Sequence, residues 1–104
     1  MGLSESERPT ALFTAQNYIT LGAVKALHRL RLQNQIALVG FDDLAMADVI
    51  TPGLTVIAQD AEVLGRQAGA LLFERLGGDR TDWVRVVVPV SLLARGSGEI
   101  AAPS

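Results

Sequence analysis

The chain has 104 residues, no cysteine and a formal net charge of −2, with 9 Lys and Arg against 11 Asp and Glu. The lack of cysteine excludes a disulfide framework, a thiolate zinc site and a cysteine nucleophile. The charge balance argues against a domain that binds nucleic acid through a basic surface of its own. No apolar run approaches the roughly 18 residues of a membrane span, and the N-terminus lacks the pattern of a signal peptide. We therefore expect one cytoplasmic domain or part of one, without membrane contact.

The first predicted elements are a strand and a helix. Residues 1–8 are predicted to be a leader outside the fold, and an apolar strand is predicted over residues 10–15. Apolar residues recur at helical spacing over residues 18–31, which predicts an amphipathic helix. Asn17 is placed to cap this helix.

The middle of the chain carries two further strands. Residues 36–41 form a continuous apolar run, which is typical of a strand buried on both faces. Residues 44–50 are predicted to form one or two helical turns that end at the Thr-Pro-Gly of residues 51–53. Residues 54–58 are the third predicted strand.

The last predicted elements are a helix and a strand. Asp60 is predicted to cap a helix over residues 61–76, and two glycines follow its end. Gly65 and Gly69 lower helix propensity by roughly 1 kcal/mol each, which predicts the close approach of another backbone. A final strand is predicted over residues 84–90 and is interrupted by a proline. The order of elements predicts an α/β fold, a parallel sheet with flanking helices and right-handed crossovers.

Two adjacent carboxylates, Asp42 and Asp43, follow the apolar strand of residues 36–41. Ligands of open α/β sheets bind beyond the carboxyl ends of the strands, so this position predicts a small-molecule site. His28 is the single histidine and has no second metal ligand at suitable spacing, and no nucleophile has a base in reach. We therefore expect no enzyme, no metal and no cofactor.

Several motifs resemble the lactose-repressor/galactose-repressor family of bacterial transcription regulators in their order and spacing. These motifs are an apolar strand after Pro9, Leu-Gly-Ala at residues 21–23, Val-Gly-Phe-Asp-Asp at 39–43, Pro-Gly-Leu-Thr-Val-Ile-Ala-Gln at 52–59, Leu-Gly at 64–65 and Arg-Gly-Ser at 95–97. The resemblance covers residues 8–97. It implies a partial type I fold of the periplasmic-binding-protein kind, in which an effector binds between two α/β lobes and a separate N-terminal helix-turn-helix binds an operator.

The resemblance also implies a division of the chain. Residues 9–98 would be part of an effector-binding domain, with residues 9–59 in the C-terminal lobe and residues 60–88 crossing to a first lobe outside this chain. Residues 89–98 would return, and residues 99–104 would form a tail. The predicted helix over residues 61–76 should then expose apolar side chains.

By this resemblance Asp42 accepts hydrogen bonds from a sugar hydroxyl or a base nitrogen of the effector, and Gln59 contacts the effector or braces the hinge. Gln16 and Asn17 stand where the family usually has two short polar residues and are further effector candidates, and Phe41 is a candidate for stacking on a sugar ring. Structural alternatives stay open: Asp42 could cap the following turn, Asn17 could serve only as a helix cap, and Phe41 could belong to the core. Asp43 is expected to be the cap of that turn.

The family also dimerises side by side through this part of the fold. The residues that the resemblance assigns to the dimer interface are Leu21, Val24, Met46, Val49 and Ile50. Ordinary core packing is the alternative for these side chains. Arg95 and Ser97 match the closing motif of the family and are expected to be structural.

The sequence therefore predicts an effector-sensing part of a regulator that responds to a sugar, a related polyol or a nucleobase. A homodimer is expected, and DNA would be contacted only through the helix-turn-helix absent from this chain. The alternative is the periplasmic sugar-binding component of a transporter, which shares the fold. A small flavodoxin-like enzyme or phosphate binder is disfavoured because no glycine-rich phosphate loop follows a strand.

Overall fold

The computed structural model describes residues 7–78 and 82–103 and divides the chain into two units. The first unit runs to Ala58 and resumes at Ser91, and the second spans Gln59–Val90. The leader predicted for residues 1–8 lies outside the described residues except for Glu7 and Arg8, so its boundary stays a prediction.

The first unit contains a four-stranded sheet in the order β1-β2-β3-β4. The strands are β1 (Ala11–Thr14), β2 (Ala37–Phe41), β3 (Thr55–Ala58) and β4 (Ser91–Leu93). The first three strands are parallel, and β4 pairs with β3 in the antiparallel direction. The α/β class with a mostly parallel sheet is therefore confirmed, whereas the parallel direction predicted for the last strand is wrong.

The strand predicted over residues 84–90 is also wrong, since residues 82–90 have no regular secondary structure. Apolar residues favour a strand only where a sheet edge offers partners for the backbone. Pro89 cannot donate a ladder hydrogen bond, and the edge of β3 is occupied by Ser91–Leu93 just beyond it. The strand therefore begins later and is shorter than its apolar run.

Helix α1 spans Asn17–Arg29, and its N-cap is Gln16 rather than Asn17. The side-chain oxygen of Gln16 accepts hydrogen bonds from the backbone N–H groups of Tyr18 at 2.8 Å and Ile19 at 3.2 Å. The longer glutamine side chain folds back over the first turn and satisfies two N–H groups that have no helical partner. The cap predicted for Asn17 is therefore wrong by one residue.

The core of the first unit lies between α1 and the sheet. Its buried apolar side chains are Leu27, Leu32, Ile36, Leu38, Ala47, Leu54 and Val56. Complete burial of a leucine, isoleucine or valine side chain stabilises the folded state by about 1.5–3 kcal/mol relative to leaving it exposed. This cluster fixes β2 and β3 side by side and thereby places the loops that follow them.

The connection between β2 and β3 consists of turns and contains no helix, so the helical turns predicted over residues 44–50 are wrong. Ala47 N–H donates to Leu44 O, and Val49 N–H donates to Met46 O. Met46 has a φ of 67°, a left-handed conformation that prevents the two turns from continuing as a helix.

Helix α2 of the second unit spans Ala61–Leu76 as predicted, and the Asp60 side chain accepts from Val63 N–H at 3.1 Å. None of its residues is buried. Leu72, Phe73 and Leu76 are 58%, 75% and 72% exposed, so the predicted exposure of apolar side chains is confirmed.

Among the described residues a Cβ at Gly65 or Gly69 would meet nothing within 4 Å, so the close backbone contact predicted there stays a prediction. No helix in the described ranges is both long and apolar enough to cross a bilayer.

Candidate ligand-binding site

The carboxyl ends of β1 and β2 lie at the same edge of the sheet and carry four of the five predicted binding residues. Thr14 of β1 is in register with Gly40 of β2, so Gln16 and Asn17 leave the sheet at the same edge as Phe41 and Asp42. Gln59 directly follows β3, is exposed, and is the first residue of the second unit.

Asp42 combines a fixed backbone with a free carboxylate. Its N–H donates to Ile57 O at 2.8 Å, and no hydrogen bond or ion pair involves its half-buried side chain anywhere in residues 7–78 or 82–103. Its φ of 77° is left-handed, an unfavourable conformation that aspartate tolerates better than most residues. The turn-capping alternative for Asp42 is wrong, and a strained, unpartnered carboxylate is a common feature of binding sites.

Gln16 has only its amide nitrogen available for a ligand. Its side-chain oxygen is already engaged by the two N–H groups of the first turn of α1. The remaining NH₂ group can donate two hydrogen bonds but accept none. Gln16 therefore complements Asp42, whose ionised carboxylate can only accept.

Asn17 and Phe41 are both half-buried at this edge. The side-chain oxygen of Asn17 is buried and has no hydrogen-bond partner among the described residues. Buried polar atoms are nearly always paired, so this oxygen is an exception in the part of the chain that the structure describes.

A threonine pair that sequence inspection missed fixes the start of α1 above the sheet. The hydroxyls of Thr14 and Thr20 are 2.7 Å apart, and Thr20 also donates to Gln16 O at 3.1 Å. Thr20 is fully buried, and a Cβ at Gly40 would lie 2.9 Å from its methyl group. The small residue on β2 thus lets Thr20 pack closely, which places Gln16 and Asn17 at the carboxyl edge.

Asp43 contacts the backbone at the start of the following turn, and it also forms an ion pair that the sequence did not predict. Its Oδ1 accepts from Leu44 N–H at 2.9 Å. Arg95 donates to both carboxylate oxygens, from Nη1 at 2.8 Å and from Nη2 at 3.0 Å. The hydrogen bond from the Arg95 guanidinium lowers the pKa of the Asp43 carboxyl, despite an opposing effect of partial burial.

We expect the contribution of this ion pair to stability to depend on pH. The folded pKa of Asp43 lies below its ordinary value of 3.8, so the stabilisation is complete above that pH and is lost as the pH falls through the folded value. Because the Asp43 side chain is 43% exposed, solvent screens the pair and the effect is small. Urea unfolding of wild type and Arg95→Met should give a difference in unfolding free energy that is constant near neutral pH and shrinks below pH 3.8.

A difference that kept its neutral value down to about pH 2 would contradict this assignment, since almost every carboxylate is protonated there.

The C-terminal segment is attached to the sheet by a buried polar network. Ser97 Oγ donates to Leu38 O at 2.6 Å and accepts from Thr55 N–H at 2.9 Å. Thr55 Oγ1 donates to the Glu99 carboxylate at 2.9 Å and accepts from Gly98 N–H at 3.0 Å. The structural role expected for Ser97 is confirmed by these contacts.

The predicted dimer residues lie in α1 and in the connection between β2 and β3. Leu21, Met46 and Val49 are 40%, 69% and 62% exposed, so they are not part of the core that the described residues form. Val24 and Ile50 are half-buried and line a small apolar pocket.

At this edge of the sheet Asp42 therefore supplies a hydrogen-bond acceptor and Gln16 supplies a hydrogen-bond donor. Among the described residues no group of three His, Asp or Glu side chains is placed to hold a metal ion.

Comparison with known proteins agrees with the fold. The sequence model of the periplasmic binding protein-like domain matches residues 2–98. The ribose operon repressor of Escherichia coli K12 is 35% identical over 97 residues, which cover 91% of this chain and 29% of the repressor.

Two solved structures of regulators are similar. The CelR–cellobiose complex is 34% identical with a TM-score of 0.74 and covers 86% of this chain and 28% of that one. The Lac repressor dimer bound to operator and the anti-inducer ONPF is 30% identical with a TM-score of 0.73, covering 90% and 29%. The chain spans only 26–29% of the length of its curated relatives. The resemblance to the lactose-repressor/galactose-repressor family is thus confirmed.

Proposed function

Because the chain belongs to the periplasmic binding protein-like domain family, we propose that it is part of the effector-binding domain of a bacterial transcription regulator. The observation that carries the proposal is the carboxylate of Asp42, which has no partner among the described residues and follows β2 at a φ of 77°. The relatives are transcriptional regulators and repressors, which disfavours the transporter alternative.

We propose a sugar or related polyol as the effector, with a nucleobase as the second class. The paired chemistry of Asp42 and Gln16 suits hydroxyl groups, which can donate to the carboxylate and accept from the amide. A relative has been solved as a complex with cellobiose. Asn17, Phe41 and Gln59 are proposed as further effector contacts, from their positions at the ends of strands.

Effector binding would act on DNA by changing the relative stability of two conformations of the whole regulator. The ligand shifts that equilibrium only by as much as it binds one conformation more tightly than the other. This chain would supply part of the effector pocket, and DNA would be contacted by a helix-turn-helix outside it. In this role the protein would act in the cytoplasm, without catalysis and without a cofactor.

The division of the domain also remains a proposal. We propose that residues 9–59 and 89–98 belong to one lobe and that residues 60–88 belong to another, whose remainder lies outside this chain. The apolar side chains exposed along α2 support this division, since a helix without a buried residue is unusual in a complete globular domain.

A ligand screen of the full-length regulator tests the proposed function. Pentoses, hexoses, disaccharides and nucleobases are added singly, and the thermal unfolding midpoint is measured. A ligand at 100 times its Kd stabilises the folded state by about 2.7 kcal/mol, so a true effector gives a clear upward shift that calorimetry can confirm. A screen in which no sugar, polyol or nucleobase binds would refute the proposal.

We further expect Leu21→Glu to convert a dimer of the full-length regulator into a monomer. The change places a charge in the middle of the proposed interface, where it would lose hydration on association. Sedimentation equilibrium measures the result, and Ala26→Glu, at another exposed position of α1, is the matched control that should remain dimeric. An unchanged dimer in Leu21→Glu would exclude this surface as the interface.

A further inference from the structure

Arg95 is held at both its side chain and its backbone. Its guanidinium contacts both oxygens of Asp43 and also donates to Leu54 O at 3.2 Å. Its backbone N–H donates to Thr55 Oγ1 at 3.1 Å. Gly53 packs so closely that a Cβ there would lie 2.8 Å from Arg95 O. The guanidinium therefore has a defined position beside the loop that follows β2.

The backbone of Asp42 and the residue that follows it are each held by a separate contact. Its own N–H is held by Ile57 O of β3, while the next side chain, that of Asp43, is held by Arg95. A left-handed residue between two anchors is constrained in φ, and its side-chain direction follows from that constraint. Without Arg95 only the first anchor and the local contact between Asp43 and Leu44 would remain.

Arg95 also gives the two adjacent carboxylates, Asp42 and Asp43, different roles. The guanidinium engages Asp43 through a bidentate contact, which leaves Asp42 as the carboxylate free to accept from a ligand. Loss of the guanidinium would place two uncompensated negative charges side by side and would free Asp43 to compete for the same hydroxyls.

We infer that Arg95 is a positioning residue for the effector site, which holds Asp43 so that Asp42 keeps the backbone conformation and the free carboxylate needed for binding. This inference rests on the proposed function, and it adds a residue that contacts no effector itself. Arginine is suited to the task because its planar fork binds both carboxylate oxygens at once, which lysine cannot do.

The test measures effector affinity by calorimetry in the full-length regulator, with the sugar or nucleobase identified in the screen. Arg95→Met should weaken binding by about tenfold, the lower end of the range known for removing a group that orients a metal-binding side chain. Arg95→Lys should restore part of the loss. Arg66→Met is the matched control, since it removes an exposed arginine paired with Glu62 on α2, and its affinity should equal that of wild type.

Amide hydrogen exchange distinguishes positioning from a general loss of stability. In Arg95→Met the Asp42 amide should exchange faster, whereas the amide of Ile36, bonded to Leu32 O in the core, should keep its rate. Asp43→Asn removes the other partner and should give the same pattern if Arg95→Met fails to fold.

Unchanged affinity in Arg95→Met, or equal acceleration at Asp42 and Ile36, would overturn the inference while leaving the proposed function intact. Failure of wild type to bind any tested ligand would instead refute the proposed function.

Discussion

Asp42→Asn should weaken effector binding by the full-length regulator at least about 100-fold while leaving its fold intact. A hydrogen bond to a charged group contributes about 1.5–3 kcal/mol, and two such bonds to neighbouring hydroxyls exceed the 2.8 kcal/mol or so that corresponds to 100-fold. Asparagine keeps the shape of the side chain and also tolerates the left-handed backbone. Calorimetric titration with the identified effector measures the affinity.

The left-handed backbone of Asp42 allows a second test at this residue, in which stability is measured beside affinity. With a φ of 77° at Asp42, alanine should cost about 1 kcal/mol of unfolding free energy, and glycine should avoid this strain. Asp42→Gly should therefore lose effector binding as fully as Asp42→Asn without the stability loss of Asp42→Ala. If all three variants bound effector like wild type, Asp42 would have no part in the pocket.

Ser97→Ala should lower the free energy of unfolding by about 3 kcal/mol, the largest stability effect we expect from one atom in this chain. The hydroxyl serves Leu38 O and Thr55 N–H, and these residues are 2% and 1% exposed. Its removal leaves two buried backbone groups unpaired, at roughly 1–3 kcal/mol each. Urea unfolding with an unchanged m-value measures the loss.

Ser91→Ala is the matched control for this substitution, because Ser91 is exposed on β4. Its unfolding free energy should stay within about 0.5 kcal/mol of wild type. A loss in Ser97→Ala as small as that of the control would mean that water or backbone movement replaces the missing hydroxyl.

Local signals in the sequence predicted the elements whose contacts are local. Helix α2 begins and ends where the sequence predicts, because Asp60 caps its first turn and Gly77 follows its last residue. Strand β2 follows from its continuous apolar run. The cap of α1 was misplaced because glutamine is a rare N-cap and only the structure shows its side chain folded back over the first turn.

The contacts that hold Asp43 and the C-terminal segment join residues far apart in the chain, and for that reason the sequence did not predict them. Arg95 and Asp43 are 52 residues apart, and Ser97 and Leu38 are 59 apart. No periodicity or motif spacing reports such pairs. The apolar run of residues 84–90 was mistaken for a strand because its pattern alone does not reveal whether a sheet edge is available.

Hydrogen–deuterium exchange of the full-length regulator, with and without a saturating effector, tests most directly whether the ligand binds at the carboxyl edge of this sheet. We predict slower exchange in peptides that contain Gln16 and Asn17 and in those that contain Asp42, with no change at Asn34 and Gln35 near the opposite ends of the strands. Protection confined to that opposite edge, or absent from both, would contradict the proposed site.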